Sequence, residues 1–392
     1  MNVQRMPQGE LAAWHQATRE PVRVRWTRGR ITAVEPFLGK PPKNLWIAPP
    51  LLDVQINGFG GVDFQRDEVA LEEVLRAARG LRAGGCTRFF LTLMTDAWPR
   101  MLARLQRLRA LRARHVELRR AIAGWHLEGP FLSPEPGFCG AHDPTVMMPV
   151  RPKHIRAIRA LTGNDPVLLT LTPTNSEAVS AIALAVRLGM KISLGHTNAS
   201  QACLRNAVAA GATGFTHLGN GCPPVLDRGD NILWRVLDTP GLTVSLIPDR
   251  VHVSPPLFRL VHRVLGEEAI YYTSDAMAAA GLPPGTYTLG RLTLEVGKDK
   301  VVRLPGTRNL AGSAVSPLDA VFHASAMRRC DWQDAWSRLA EAPARFMGLP
   351  SGLAAGGPAD FCVLAGGRNN RPTTLRVFVG GQSLGPMRLR RG

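Results

Sequence analysis

Three short segments end in residues that together could hold a divalent cation: Glu128 in "WHLEGP", His196 in "LGHTN" and His217 in "THLGN". One carboxylate and two imidazoles suit Zn²⁺ or a similar borderline ion, and three protein ligands leave a position open for water. A metal held there would lower the pKa of that water and polarise a bound carbonyl. Asp275, in "YYTSDAMAAAG", adds a carboxylate able to take a proton from water and return it to a leaving amine. His126 forms an H-x-E with Glu128, a fragment shared with zinc deaminases of nucleic-acid bases. The P-C-x-x-C half of that signature is missing, so His126 is expected to support the site from behind the ligands. Two amides, Gln55 and Asn57 in "LLDVQINGFGG", stand two residues apart and therefore on one face of a strand.

The elements that must position these residues follow from where they fall. Each closes one of a series of apolar runs: "IAPPLLDVQING", "CTRFFLTLMTD", "AIAGWHLEGPFL", "VLLTLTPTN", "ISLGHT", "GFTHLGN", "LTVSLIPDRVHV" and "AIYYTSDAM". Helical patterns at 67–84, 99–114, 176–188 and 200–210 lie between them, and eight such strand–helix units would close a (β/α)8 TIM barrel. The C-terminal strand ends of such a barrel form one face, which would gather Gln55, Asn57, Glu128, His196, His217, His252 and Asp275 at one mouth. Segments 1–48 and 355–392 read as short strands broken by Gly, Pro and Asn turns. They are expected to form one small β-sandwich from both termini, leaving 49–354 for the barrel. No fixed short period repeats, which excludes a solenoid.

Composition narrows the function classes. With 45% hydrophobic and 20% charged residues the chain is an ordinary globular protein. No apolar run approaches the roughly 20 residues of a membrane helix. The stretch "MNVQRMPQGELAAWHQ" lacks the apolar core of a secretory signal, so a cytoplasmic location is expected. Six cysteines without a C-x-x-C pair argue against a disulfide framework or a structural zinc knuckle. A net charge of +18 raises nucleic acid as a partner. The excess is arginine spread along the whole chain, however, with only six lysines. Its densest stretch, "RMLARLQRLRALRARHVELRR", reads as an amphipathic helix with a solvated basic face, with no aromatic interleaving.

The motifs "HLEGPFLSPEPGFCGAH", "LGHTNAS", "THLGNG", "IPDRVH", "SDAMAAAG" and "NLAGSA" occur in one order across nearly the whole chain. On these the chain resembles the N-acetylglucosamine-6-phosphate deacetylases of the amidohydrolase superfamily. The resemblance implies a (β/α)8 barrel with a terminal β-sandwich, and hydrolysis of N-acetyl-D-glucosamine 6-phosphate to D-glucosamine 6-phosphate and acetate. It implies one divalent ion per subunit, Zn²⁺ first with Fe²⁺, Co²⁺ or Mn²⁺ as alternatives, on Glu128, His196 and His217. It makes Asp275 the general acid/base and His142 a substrate contact beside the scissile carbonyl. Asn220 and Gly221 become sugar contacts, while Arg228 and His252 hold the phosphate, Arg228 across a homodimer interface. Leu310, Ala311 and Gly312 lie on a loop closing over the substrate. Many amidohydrolases carry H-x-H where this chain has Gln55 and Asn57. Neutral amides are poor ligands for such an ion, so one metal rather than two is expected.

The chain departs from the family at "HLGNGC", where the family usually reads "HL[FY]NAM", and at Arg250, where glycine is common. Gly219, Gly221, Cys222 and Arg250 therefore bear on which sugar fits. They leave open a related amidohydrolase acting on another N-acyl amino sugar or amide. The charge leaves open a non-catalytic polyanion-binding protein, although such a protein has no reason to keep ligands, acid/base and phosphate groups together.

Overall fold

The computed structural model describes residues 8–306, 310–366 and 372–389. Its centre is a parallel sheet of eight strands: Leu51–Ile56, Cys86–Met94, Ile122–Glu128, Val167–Leu171, Lys191–Leu194, Gly214–Phe215, Thr243–Leu246 and Ile270–Tyr272, each paired with the next in chain order. Both faces of these strands are covered, which is why segments such as Leu51–Ile56 and Val167–Leu171 are buried at every position. The eighth strand returns to the first through a parallel bridge between Ile56 and Ala276. That seam is reinforced by Asp53, buried in the barrel wall, whose carboxylate accepts from Thr273 Oγ1 (2.5 Å), Ser274 N (2.8 Å) and Gln55 N (3.1 Å). The expected (β/α)8 barrel is thus formed.

Helices ring the barrel. Leu71–Ala83 begins where the Glu73 carboxylate accepts from Ala70 N at 2.9 Å, and it buries Val74, Leu75, Ala78 and Leu81 on one stripe. The arginine-rich helix Trp98–Arg114 buries Met101, Leu105 and Leu108 as an amphipathic pattern requires. Its basic face is less solvated than expected, because acids on neighbouring segments reach into it. Arg104, 2% exposed, meets Asp67 and Asp96 at 2.9 and 3.0 Å, and Arg109 and Arg112 both meet Asp165. Two helices beyond the eighth strand, Pro317–Arg328 and Trp332–Met347, complete the ring. The end of the second closes the barrel floor, where Phe346 stacks on Tyr271 with ring centroids 4.9 Å apart. With the floor plugged, the C-terminal strand ends are the open mouth.

The strands Gln8–His15, Pro21–Thr27, Arg30–Pro36 and Leu45–Ala48 join Phe361–Ala365, Thr374–Val379 and Gln382–Arg388 in one seven-stranded sheet from both termini. It encloses its own core, in which Trp26 packs on Phe361 (5.1 Å) and Phe378 (5.8 Å). A further three-stranded sheet, Gly285–Leu289, Leu292–Val296 and Val302–Arg303, is inserted after the eighth barrel strand. It packs beside the mouth on Met277, Ala278 and Ala311.

Candidate active site

Glu128 ends the third barrel strand, and His196 and His217 follow the fifth and sixth by two residues. One ligand atom from each lies within 4.8 Å of the others, and all three residues are buried. The Glu128 carboxylate is the hub. Its Oε1 is 2.9 Å from His217 Nε2 and 3.5 Å from His196 Nε2, its Oε2 is 3.8 Å from His142 Nε2, and Gln55 Nε2 donates to both oxygens at 3.1 Å. Burial alone would raise this carboxyl, but hydrogen bonds from His196 and His217 outweigh it and hold Glu128 well below the ordinary value. His196 Nδ1 lies 2.9 Å from the carbonyl of Phe138, which can only accept. The ring therefore carries a proton on Nδ1. His217 Nδ1 and His142 Nδ1 are buried without a partner. Burial first, and the neighbouring imidazoles next, push His142 down to about 3, so the ring is neutral. A buried carboxylate with imidazole nitrogens around it is a donor set that fits a borderline divalent ion.

Asp275 follows the eighth strand, and Asn57 Nδ2 donates to its Oδ1 at 2.6 Å. Burial, and then the negative charge of Glu128, raise its carboxyl well above the ordinary value, which suits a group that must carry a proton near neutral pH. His196, His217 and Asp275 also share a backbone feature, with φ of 49°, 31° and 51°. Left-handed backbone in a non-glycine residue is costly, on the order of 1–3 kcal/mol each, and clusters where chemistry fixes the side chain.

Gln55, in the first strand, donates to Glu128, and Asn57, one residue beyond its end, donates to Asp275. His126 meets Thr170 Oγ1 at 2.8 Å and Thr92 Oγ1 at 3.4 Å, and burial lowers it to about 4. It is thus a neutral ring behind Glu128, held by hydroxyls of the adjacent strands. Asn220 Nδ2 donates to the His217 carbonyl at 3.2 Å. A Cβ at Gly221, where φ is +59°, would stand 2.7 Å from His196 Nδ1, so the path taken here admits only glycine. Arg250 is exposed with φ of 71°, a left-handed conformation that favours glycine. Arg228 is exposed and makes no ion pair among the described residues. Ala311 is buried, and Leu310–Gly312 leads into Ser313, whose N–H donates to the Asp275 carbonyl at 2.8 Å. Asn309 of the "NLAGSA" motif lies outside the described residues.

One expectation needs correction. His252 does not end the seventh strand, which stops at Leu246, six residues earlier. Asp249 folds the following loop back, its Oδ1 accepting from Val251 N and His252 N and its Oδ2 holding His252 Nδ1 at 2.5 Å. Such an Asx turn competes with ladder pairing and ends the strand. Asp249, the Asp53 seam and the Phe138 carbonyl were not read from the sequence. The first two carry signals, an i, i+3 spacing to His252 and an i, i+2, i+4 alternation with Gln55 and Asn57. A main-chain carbonyl carries none.

No family model matches the chain. Among curated proteins it is 30% identical over 354 residues to N-acetylglucosamine-6-phosphate deacetylase of Danio rerio, covering 87% of this chain and 85% of that one. It is 32% identical over 344 residues to the enzyme of Bos taurus, covering 84% and 82%. The chain belongs to the N-acetylglucosamine-6-phosphate deacetylase family. Among solved structures, a point variant of the Mycobacterium smegmatis deacetylase in complex with N-acetyl-D-glucosamine 6-phosphate superposes with a TM-score of 0.84 at 30% identity, covering 96% of this chain and 99% of that one. Deacetylase membership accounts for the barrel, the terminal sheet and the metal-type cluster together.

Proposed function

We propose that the protein hydrolyses the acetamide of N-acetyl-D-glucosamine 6-phosphate to D-glucosamine 6-phosphate and acetate, in amino-sugar catabolism. The observation that carries this reading is the pairing of two unlike carboxyls at one mouth: Glu128 held ionised among imidazoles, and Asp275 held able to keep a proton. One divalent ion per subunit, Zn²⁺ foremost with Fe²⁺, Co²⁺ or Mn²⁺ as alternatives, would sit on Glu128, His196 and His217, where it would acidify water and polarise the acetyl carbonyl.

The chain's own residues supply the rest. Asn57 aims the Asp275 carboxyl, which accepts a proton from the attacking water and delivers it to the departing amine. His142 faces the Glu128 carboxylate and donates to the oxyanion that develops on the acetyl group. Gln55 keeps both Glu128 oxygens in place, and His126 backs them. Asn220, Gly221, Leu310, Ala311 and Gly312 line the sugar. His252 and Arg228 bind the phosphate, with Arg228 reaching into the neighbouring subunit of a homodimer. Support for that assembly is the apolar surface around it, where Val225 is 85% and Trp234 42% exposed. A cytoplasmic setting is supported by six free cysteines.

The test is acetate release by metal-loaded protein. Phosphorylated N-acetylglucosamine should be preferred over the free sugar by at least about tenfold in kcat/KM, the worth of a charged phosphate contact. No acetate from any phosphorylated N-acetyl sugar would defeat the proposal.

A further inference from the structure

His142 is the least anchored of the residues around Glu128. Its Nδ1 has no partner, its Nε2 is 3.8 Å from Glu128, and its ring is held mainly by an edge contact on His196, with centroids 4.6 Å apart. Its orientation therefore depends on the backbone of the turn that carries it, where His142 N donates to the Cys139 carbonyl at 3.1 Å. The residue after it, Asp143, is fixed on two sides. One carboxylate oxygen accepts from Thr145 N at 2.9 Å and Thr145 Oγ1 at 2.7 Å, and the other pairs with Arg291.

Arg291 is at the tip of the hairpin Gly285–Val296, in the inserted three-stranded sheet. That tip is itself rooted in the barrel. Gly290 N donates at 2.8 Å to Asp63, which is buried and accepts from Gln65 N, also at 2.8 Å. Gln65 in turn donates to the Thr92 carbonyl at 2.8 Å and accepts from Met94 N at 2.9 Å, at the end of the second barrel strand. Leu289 is buried at the hairpin's turn, and Leu292 and Ala141 border the same small core. Hairpin tip and His142 turn thus face one another across a cleft of about 200 Å³ lined by His142, Asp143 and Leu289–Leu292.

We propose that Arg291 is a positioning residue for His142: through Asp143 it ties the turn that carries the ring to a hairpin anchored on the second barrel strand. The inference rests on the deacetylase reading for its kinetic consequence, not for its structural one. Arg291 is 61% exposed, so its ion pair contributes little to global stability. Small displacement of a group that acts only on the transition state instead lowers kcat and spares KM.

Arg291→Met, Asp143→Asn and the double variant test it, with Asp299→Asn, which breaks only the Arg303–Asp299 pair of the same sheet, as control. Hydrogen exchange of residues 139–146 should quicken in Arg291→Met and in the double variant, but not in the control. Acetate release should fall about tenfold in kcat with KM unchanged within about twofold, Arg291→Lys should recover most of it, and the double variant should be no worse than the worse single. Unchanged exchange at 139–146 overturns the proposal whatever the activity. Quickened exchange with full turnover, or additive losses in the double variant, overturns the positioning role. An inactive wild type with quickened exchange would instead fault the deacetylase reading and leave the structural tie supported.

Discussion

At the scale of single residues, the site is a division of labour between two carboxyls set by their neighbours. Glu128 is surrounded by donors and stays ionised, whereas Asp275 has one amide and the repulsion of Glu128 and holds its proton more tightly. Asp275→Asn should therefore retain metal while kcat falls about 10²- to 10⁴-fold, read by metal analysis and acetate release on the same preparation. Gln55→Leu removes both amide contacts to Glu128 and should weaken metal affinity about 10- to 100-fold, measured by competition with a chelator. Most of this set was legible in the sequence, because a polar residue that closes an apolar run has few places to point except the barrel mouth. What was not legible is made of main chain and strain: the Phe138 carbonyl that fixes the His196 tautomer, and the left-handed backbone of His196, His217 and Asp275.

At the scale of elements, pattern predicted strands and helices where one face is apolar and failed where packing altered the face. The helix foreseen over 99–114 is Trp98–Arg114, yet its arginines divide into two kinds that spacing alone does not separate. Arg104 is 2% exposed between Asp67 and Asp96, while Arg107 is a surface residue 3.7 Å from Asp67. Arg104→Ala should cost about 2 kcal/mol in chemical denaturation, because it removes a buried side chain together with its pairs to the part-exposed Asp67 and Asp96, and Arg107→Ala less than about 1 kcal/mol. The inserted hairpin was missed although "GTYTLGRLTLEV" alternates around a two-residue Gly-Arg turn, a hairpin pattern hidden by counting only the units of the barrel. The seventh strand was read too long for the opposite reason, since an apolar run continues through the Asp249 turn that ends it.

At the scale of the whole molecule, the barrel floor is plugged and the mouth assembles groups from six of its eight strand ends or the loops beyond them, so folding and metal binding are linked. Metal removal should lower the melting temperature, and Glu128→Gln should abolish that dependence. Acid stability has a separate source in His262, which accepts from or donates to Tyr272 OH at 2.9 Å. Burial first, with Arg328 and Arg338 beside it, pushes this imidazole down to about 3 against the opposing pull of the part-exposed Glu267 carboxylate 3.6 Å from its Nδ1, so the folded protein keeps it neutral while the unfolded chain protonates it below about 6.5. Its contribution is complete above that pH and is lost as pH falls from there toward the folded value, reaching up to about 2 kcal/mol by pH 5. His262→Gln should flatten the pH dependence of the denaturation midpoint over that range. The central claim, that one cluster of Glu128, His196 and His217 carries the chemistry while the amides of the first strand hold no second ion, is tested most directly by titrating metal-free protein with Zn²⁺ while following acetate release from N-acetyl-D-glucosamine 6-phosphate. The account predicts activity that rises linearly and breaks at one equivalent per chain; a break at two equivalents, or no acetate at any loading, would contradict it.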